Sequence, residues 1–178
     1  DAPIARPLKG LIMISHGTGA SMFAHNNLAR ALARAGYLVA ALQHPGDNWQ
    51  DRSLMSSFAY FEERPRQITQ ALNAVLEKSP FSNLIPADKI AALGFSAGGY
   101  AVLALAGGVP NQLRLRDYCA VDAKLCDVGS VERLNKILNG PAEAAPRLSD
   151  PRIKAVFALA PLAAVFTPES LAGIQLNY

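Results

Sequence analysis

Three features of the chain predict an α/β fold, a mostly parallel sheet with flanking helices. Short continuous apolar runs recur at Leu11–Ile14, Tyr37–Leu42, Ile90–Leu93 and Ile153–Leu159, each long enough for one buried strand. Stretches with apolar residues at helical spacing separate the first three runs. A glycine-flanked turn, Gly94-Phe95-Ser96-Ala97-Gly98-Gly99, joins the third run to the helix-forming Tyr100–Ala106. Strands alternating with helices give a parallel sheet with right-handed crossovers. A length of 178 residues is enough for one domain with a real core. Apolar residues at 51% against charged residues at 17% describe a globular chain, not a disordered one.

Residues 1–10 hold Pro3 and Pro7 and read as an extended lead-in. The first strand, Leu11–Ile14, runs into Ser15-His16-Gly17-Thr18-Gly19, a loop that needs glycine flexibility. Leu28, Ala31, Leu32 and Ala35 then mark a helix, closed by Gly36 as its C′ residue. Tyr37–Leu42 is the second strand, followed by a turn-rich loop with Pro45-Gly46-Asp47-Asn48. Pro65 is expected in the first turn of the next helix, whose apolar stripe is Ile68, Leu72, Val75 and Leu76. Ser79-Pro80 ends it, and Ile85-Pro86-Ala87-Asp88 turns into the third strand. Residues 109–150 carry no strong strand; they read as a cap-like or surface insertion on a single incomplete core spanning 1–178, with a short helix at Val131–Leu138. Ile153–Leu159 is the fourth strand, stopped by Pro161, and 167–178 is weakly patterned.

In a parallel sheet, ligands bind at the carboxyl ends of the strands. The His16 loop, the Gln43 loop, Ser96 and the Ala160 loop all fall on that edge. The strand–turn–helix around Ser96 is the setting of a nucleophile elbow, where the serine sits in a strained backbone conformation and side chains two positions away would collide. Gly94 and Gly98 occupy those positions, and Ala97 and Gly99 let the helix approach its neighbours. The helix N-terminus favours negative charge developing in front of the hydroxyl. A phosphate-binding turn is the plainer reading of a glycine-rich loop. The spacing here is neither G-x-G-x-x-G nor a P-loop, since no Gly-Lys-Ser/Thr follows.

Several function classes are excluded. Net charge is +3 and the basic residues are scattered; Arg30, Arg34, Arg64, Arg66, Arg114 and Arg116 read as solvated faces, with no nucleic-acid patch. No run of about 18 apolar residues exists, so no transmembrane helix is expected. No metal-ligand cluster or dinucleotide fingerprint is present, so no cofactor is implied. Cys119 and Cys126, the only cysteines, are spaced for a local disulfide loop, which would place the protein in the periplasm or outside the cell; the reduced state, compatible with the cytoplasm, is the alternative. The chain opens on Asp1 without a signal-type segment, compatible with a trimmed form.

Taken together, Ser15–Ala20, Gly36–Ala40, His44-Pro45-Gly46-Asp47, Arg64-Pro65 and Gly94–Gly99 resemble the α/β-hydrolase superfamily. Within it the chain is most similar to dienelactone hydrolase-like enzymes and their platelet-activating factor acetylhydrolase-like relatives, from about Leu11 to Ala160. That resemblance implies cleavage of a small carboxylic ester or lactone through an acyl-enzyme, or removal of a short acyl group from a phospholipid. Ser96 matches the nucleophile. The backbone N–H groups of Ala97 and Thr18 match the oxyanion hole, and rigid backbone donors suit that task. His16 matches a residue that orders the oxyanion loop, and His44, beside the Pro45-Gly46 turn, reads as a second loop-ordering histidine.

The family's triad runs Ser, then Asp or Glu, then His. The three histidines here, His16, His25 and His44, all precede Ser96. The segment after Leu159 opens on Ala160-Pro161, without a carboxylate. The chain therefore resembles the middle of a hydrolase, with the triad's acid and histidine expected outside it. His25 reads as a solvated or capping residue. Asp47, Asp122, Asp127 and Asp150 read as turn formers or surface charges. A catalytically inactive hydrolase-fold binding protein and a structural α/β module are the competing readings.

Overall fold

The computed structural model describes residues 7–56, 59–111, 114, 117, 121, 148–174 and 176. The elements are β1 (Leu11–Ser15), α1 (Asn26–Arg34), β2 (Leu38–Leu42), α2 (Tyr60–Lys78), β3 (Ile90–Phe95), α3 (Ala97–Leu105), β4 (Ala155–Leu159) and α4 (Pro168–Ala172). The four strands form one parallel sheet in the order β2-β1-β3-β4, an α/β fold with flanking helices. Register runs Met13 beside Ala40 and Ala92, with Ala92 beside Val156. Side chains alternate across a strand, so one face carries Leu11, Met13, Leu38, Ala40, Ile90, Ala92, Val156 and Ala158. This face packs on α2 and α3 through Phe61, Ile68, Leu72, Tyr100, Ala101 and Ala104. Helix α1 contributes nothing to that cluster and lies against β2.

Local chemistry explains the ends of α1. Gly36 has φ +99°, open to glycine at little cost. Its N–H bonds to Ala33 O and that of Tyr37 to Leu32 O, the two bonds of a Schellman stop. Helix α4 begins at Thr167, whose hydroxyl accepts from Ser170 N–H, with Pro168 in the first turn. That helix corrects the expectation of a weakly patterned segment there.

A second correction concerns α2. It begins at Tyr60, so Pro65 lies inside the helix and not in its first turn. A proline removes the N–H that would bond the carbonyl four residues earlier, here Phe61. The Tyr100 hydroxyl, on α3 and fully buried, donates to Phe61 O at 2.6 Å instead. The orphaned carbonyl is thus satisfied from the neighbouring helix, as burial requires. Tyr100 also stacks on Phe166 at 5.3 Å and meets Phe61 edge-on at 5.2 Å. The segment 109–150, read from sequence as an insertion with Val131–Leu138 helical, lies mostly outside the described residues, as do Cys119 and Cys126.

Candidate active site at the strand ends

Between β3 and α3 the chain reverses through one residue. Ser96 has φ 54° and ψ −115°, outside the regions favoured by residues with a side chain. Such a conformation costs on the order of 1–3 kcal/mol and persists only where the surroundings impose it. Here they do. Ser96 N–H bonds to Leu159 O at 2.9 Å, and Ser96 O accepts from Leu162 N–H and Tyr100 N–H. A Cβ on Gly94 would strike the Gly98 carbonyl. One on Gly98 would strike the carbonyl of Ser15 and lie 2.8 Å from that of His16. One on Gly99 would meet Pro161 at 2.9 Å. The glycines therefore let the elbow, the end of β1 and the Ala160-Pro161 loop touch backbone to backbone. Ser96 is half-buried, and among the described residues its hydroxyl has no protein hydrogen-bond partner.

The β1 loop passes against this elbow. A Cβ on Gly17 would sit 3.4 Å from the Ser96 Cβ and 3.1 Å from the Phe95 ring. Thr18 follows directly. Its hydroxyl and that of Tyr60 are 2.9 Å apart. Among the described residues neither the Thr18 nor the Ala97 amide donates to a protein acceptor, so both remain open to a ligand. Several neighbouring polar groups of the loop are committed. His16 O accepts from Arg64, Gly17 O accepts from His16 Nδ1 at 2.7 Å and from Ala20 N–H, and Gly19 N–H donates to Asp47 Oδ1 at 2.7 Å.

Both His16 and His44 are buried and use both ring nitrogens. His16 donates from Nδ1 to Gly17 O and accepts His44 N–H at Nε2, 3.2 Å away. Gln67 donates its amide hydrogen to Pro45 O, so its Oε1 faces His44 Nδ1, which must carry the proton. His44 Nε2 then accepts the Ser15 hydroxyl at 2.8 Å. Neither ring has a nitrogen to spare for Ser96. His25 precedes α1, its ring edge-on to Phe95 at 5.7 Å, and its Nε2 is buried without a partner among the described residues.

Burial, reinforced by the Arg64 charge, holds the His44 imidazole down to about 2. Burial also lowers His16, against a raising bond from Gly17. Both rings therefore fold neutral, while the unfolded chain binds protons near pH 6.5. The stability they contribute is complete above that pH and drains as the pH falls from 6.5 toward the folded-state values. His44 alone removes about 1.4 kcal/mol per pH unit, or ~2 kcal/mol between pH 6.5 and 5. Thermal melts at pH 7.5, 6 and 5 check this; a midpoint that does not move over that range would contradict it.

Arg64 and Asp47 correct the sequence reading most sharply. Neither is a solvated charge or a mere turn former; both are fully buried and form an ion pair. Arg64 also donates to His16 O and approaches Ser15 Oγ at 3.4 Å. Asp150, expected as a turn former or surface charge, is a turn former: its Oδ1 accepts Arg152 N–H and its O accepts Ile153 N–H, and it is buried in a pair with Arg152 at 2.6 Å; Asp122 and Asp127 lie outside the described residues. Sequence reasoning also passed over Tyr60 and Gln67. With Arg64 they stand at i, i+4 and i+7 of α2, one face of a helix. That polar stripe beside the Ile68–Leu72 apolar stripe was the available signal.

Among the described residues no group of three or more His, Cys, Asp or Glu side chains could hold a metal ion, and no helix is long and apolar enough to cross a membrane. No protein-family model and no curated protein matches the chain. Among solved structures it is similar to a ferulic acid esterase from Streptomyces cinnamoneus, with a TM-score of 0.41 and 26% identity. The match covers 57% of this chain and 33% of that one, so the chain spans about a third of the esterase's length.

Proposed function

We propose that these residues form the core of an α/β-hydrolase-type serine hydrolase that cleaves a carboxylic ester or lactone through an acyl-enzyme on Ser96. The carrying observation is the forced conformation of Ser96 at a strand-to-helix turn, beside the two uncommitted amides of Ala97 and Thr18. Strain of this kind persists where a reactive group must be presented. In the reaction Ser96 Oγ attacks the ester carbonyl carbon and its proton passes to a base. The carbonyl oxygen becomes an oxyanion that the two amides stabilise, with the α3 N-terminus adding its dipole. Collapse expels the alcohol, which takes the proton, and water then releases the acid. His16 and His44 are both spent on the loop; by the order Ser, acid, His, the base and its carboxylate partner are assigned outside this chain. The substrate class is that of the dienelactone hydrolase-like and acetylhydrolase-like group, small or short-acyl esters. A Cys119–Cys126 bridge would put the enzyme in the periplasm or outside the cell.

The engagement of His16 and His44 through both nitrogens favours one second reading, a hydrolase-fold binding protein without turnover. A fluorophosphonate probe on the full-length protein separates the two. The wild type should be modified at Ser96 and Ser96→Ala should not. Hydrolysis of p-nitrophenyl acetate by the 178-residue chain alone should be very slow, because loss of one triad member leaves only what the oxyanion hole and binding supply. An unmodified wild type would support the binding protein.

A further inference from the structure

The groups that would close a four-residue turn on each other are the carbonyl of its first residue and the amide of its fourth. In the loop after β1 Gly17 O and Ala20 N–H close such a turn at 3.2 Å, while His16 O and Gly19 N–H, which bracket Gly17 and Thr18, do not meet each other. One guanidinium nitrogen of Arg64 bonds His16 O and the other bonds Asp47 Oδ2, while Asp47 Oδ1 takes Gly19 N–H. A buried ion pair thus links His16 O to Gly19 N–H beside the turn that Gly17 and Ala20 close. Between the two grips lie Gly17, against Ser96, and Thr18, whose amide is uncommitted and whose hydroxyl is tied to Tyr60 one turn before Arg64.

We propose that Arg64 and Asp47 are positioning residues for the oxyanion hole: the pair fixes both ends of the loop and so sets where the Thr18 amide stands relative to Ser96. This rests on the serine-hydrolase reading above. The two halves come from different parts of the chain, Arg64 from α2 and Asp47 from the loop after β2. The loop, whose own turn Gly17 and Ala20 close, is therefore also referenced to the packed body of the protein. Oxyanion stabilisation depends on donors that need no reorganisation, and a misplacement of about 1 Å can cost on the order of 100-fold in rate. Stabilising the fold and placing the amide are separable. Gly19 and His16 could be anchored to water without unfolding the sheet, but the amide between them would then be free to shift.

The test is the rate of fluorophosphonate modification of Ser96, resolved into its maximal rate and the probe concentration at half that rate, and followed by intact mass. The measurement uses the full-length protein, in which the triad's base activates Ser96 and the oxyanion hole stabilises the charge developing on the probe's phosphoryl oxygen. Asp47→Ala should lower the maximal rate about tenfold or more, with the half-saturating concentration within about twofold. Asp47→Asn, which keeps an oxygen for Gly19 N–H, should recover part of the loss. Arg64→Lys keeps a charge for Asp47 and gives up the His16 grip; it should also lose maximal rate, and it decides the matter if Asp47→Ala does not fold. Folded variants with the wild-type maximal rate would overturn the positioning role while leaving Ser96 as nucleophile. A wild type that takes up no probe would overturn the nucleophile and the positioning role together.

Discussion

Gly98→Ala is expected to destabilise the protein by about 3 kcal/mol or more, seen as a lowered urea midpoint at unchanged slope. The added Cβ would meet the carbonyl of Ser15 and, at 2.8 Å, that of His16. Both are main-chain atoms at the end of the central strand, so no side chain can swing aside. Relief requires moving α3 away from the sheet, and Ala97, Tyr100, Ala101 and Ala104 on that helix are fully buried or nearly so. Gly107→Ala is the control. Gly107 has φ +114° but nothing within 4 Å of its would-be Cβ. Only backbone strain opposes alanine there, about 1–2 kcal/mol. Equal midpoint shifts for the two variants would show that contact at the elbow does not set the cost.

Arg64→Ala is expected to cost about 3–5 kcal/mol, because it leaves Asp47 buried without its counter-charge. The double variant Arg64→Met with Asp47→Leu gives the sharper measurement. Replacing a buried ion pair by apolar residues of similar size is often nearly neutral. This pair also satisfies His16 O and Gly19 N–H. Each buried backbone group left unpaired costs roughly 1–3 kcal/mol. The double variant should therefore stay about 2–4 kcal/mol less stable than the wild type. A urea double-mutant cycle measures this. Full recovery in the double variant would mean that the two backbone grips contribute nothing.

The reach of sequence reasoning differed from residue to residue. The elbow was legible because its causes lie within about fifteen residues: an apolar run, three glycines and a helix-forming run. The four strands were legible because each is a continuous apolar run, although β2 and β4 are only partly buried. Pro65 misled, since the rule placing proline in a first turn assumes that no distant donor repairs the lost bond. Tyr100 is that donor, thirty-nine residues from Phe61. Arg64 and Asp47 misled for a similar reason. A charged residue is read as solvated by default, and the partner that overrides the default is seventeen residues away. Tyr60 and Gln67 went unread because their partners, Thr18, His44 and Pro45, lie on loops from other strands.

What the sequence determined alone was whatever depends on nearest neighbours along the chain: the strands, the Gly36 stop, and a turn at Ser96 too tight for side chains at 94 and 98. What only the tertiary structure decided was which polar groups are spent and which are left over. The Thr18 and Ala97 amides are left uncommitted, while Arg64, Asp47, Tyr60 and the two histidines take up the His16 and Gly17 carbonyls, the Thr18 hydroxyl and the Gly19 amide beside them. Hydrogen-bond satisfaction in a buried site is a closed account among groups brought together by folding, and no local stretch of sequence contains all its terms.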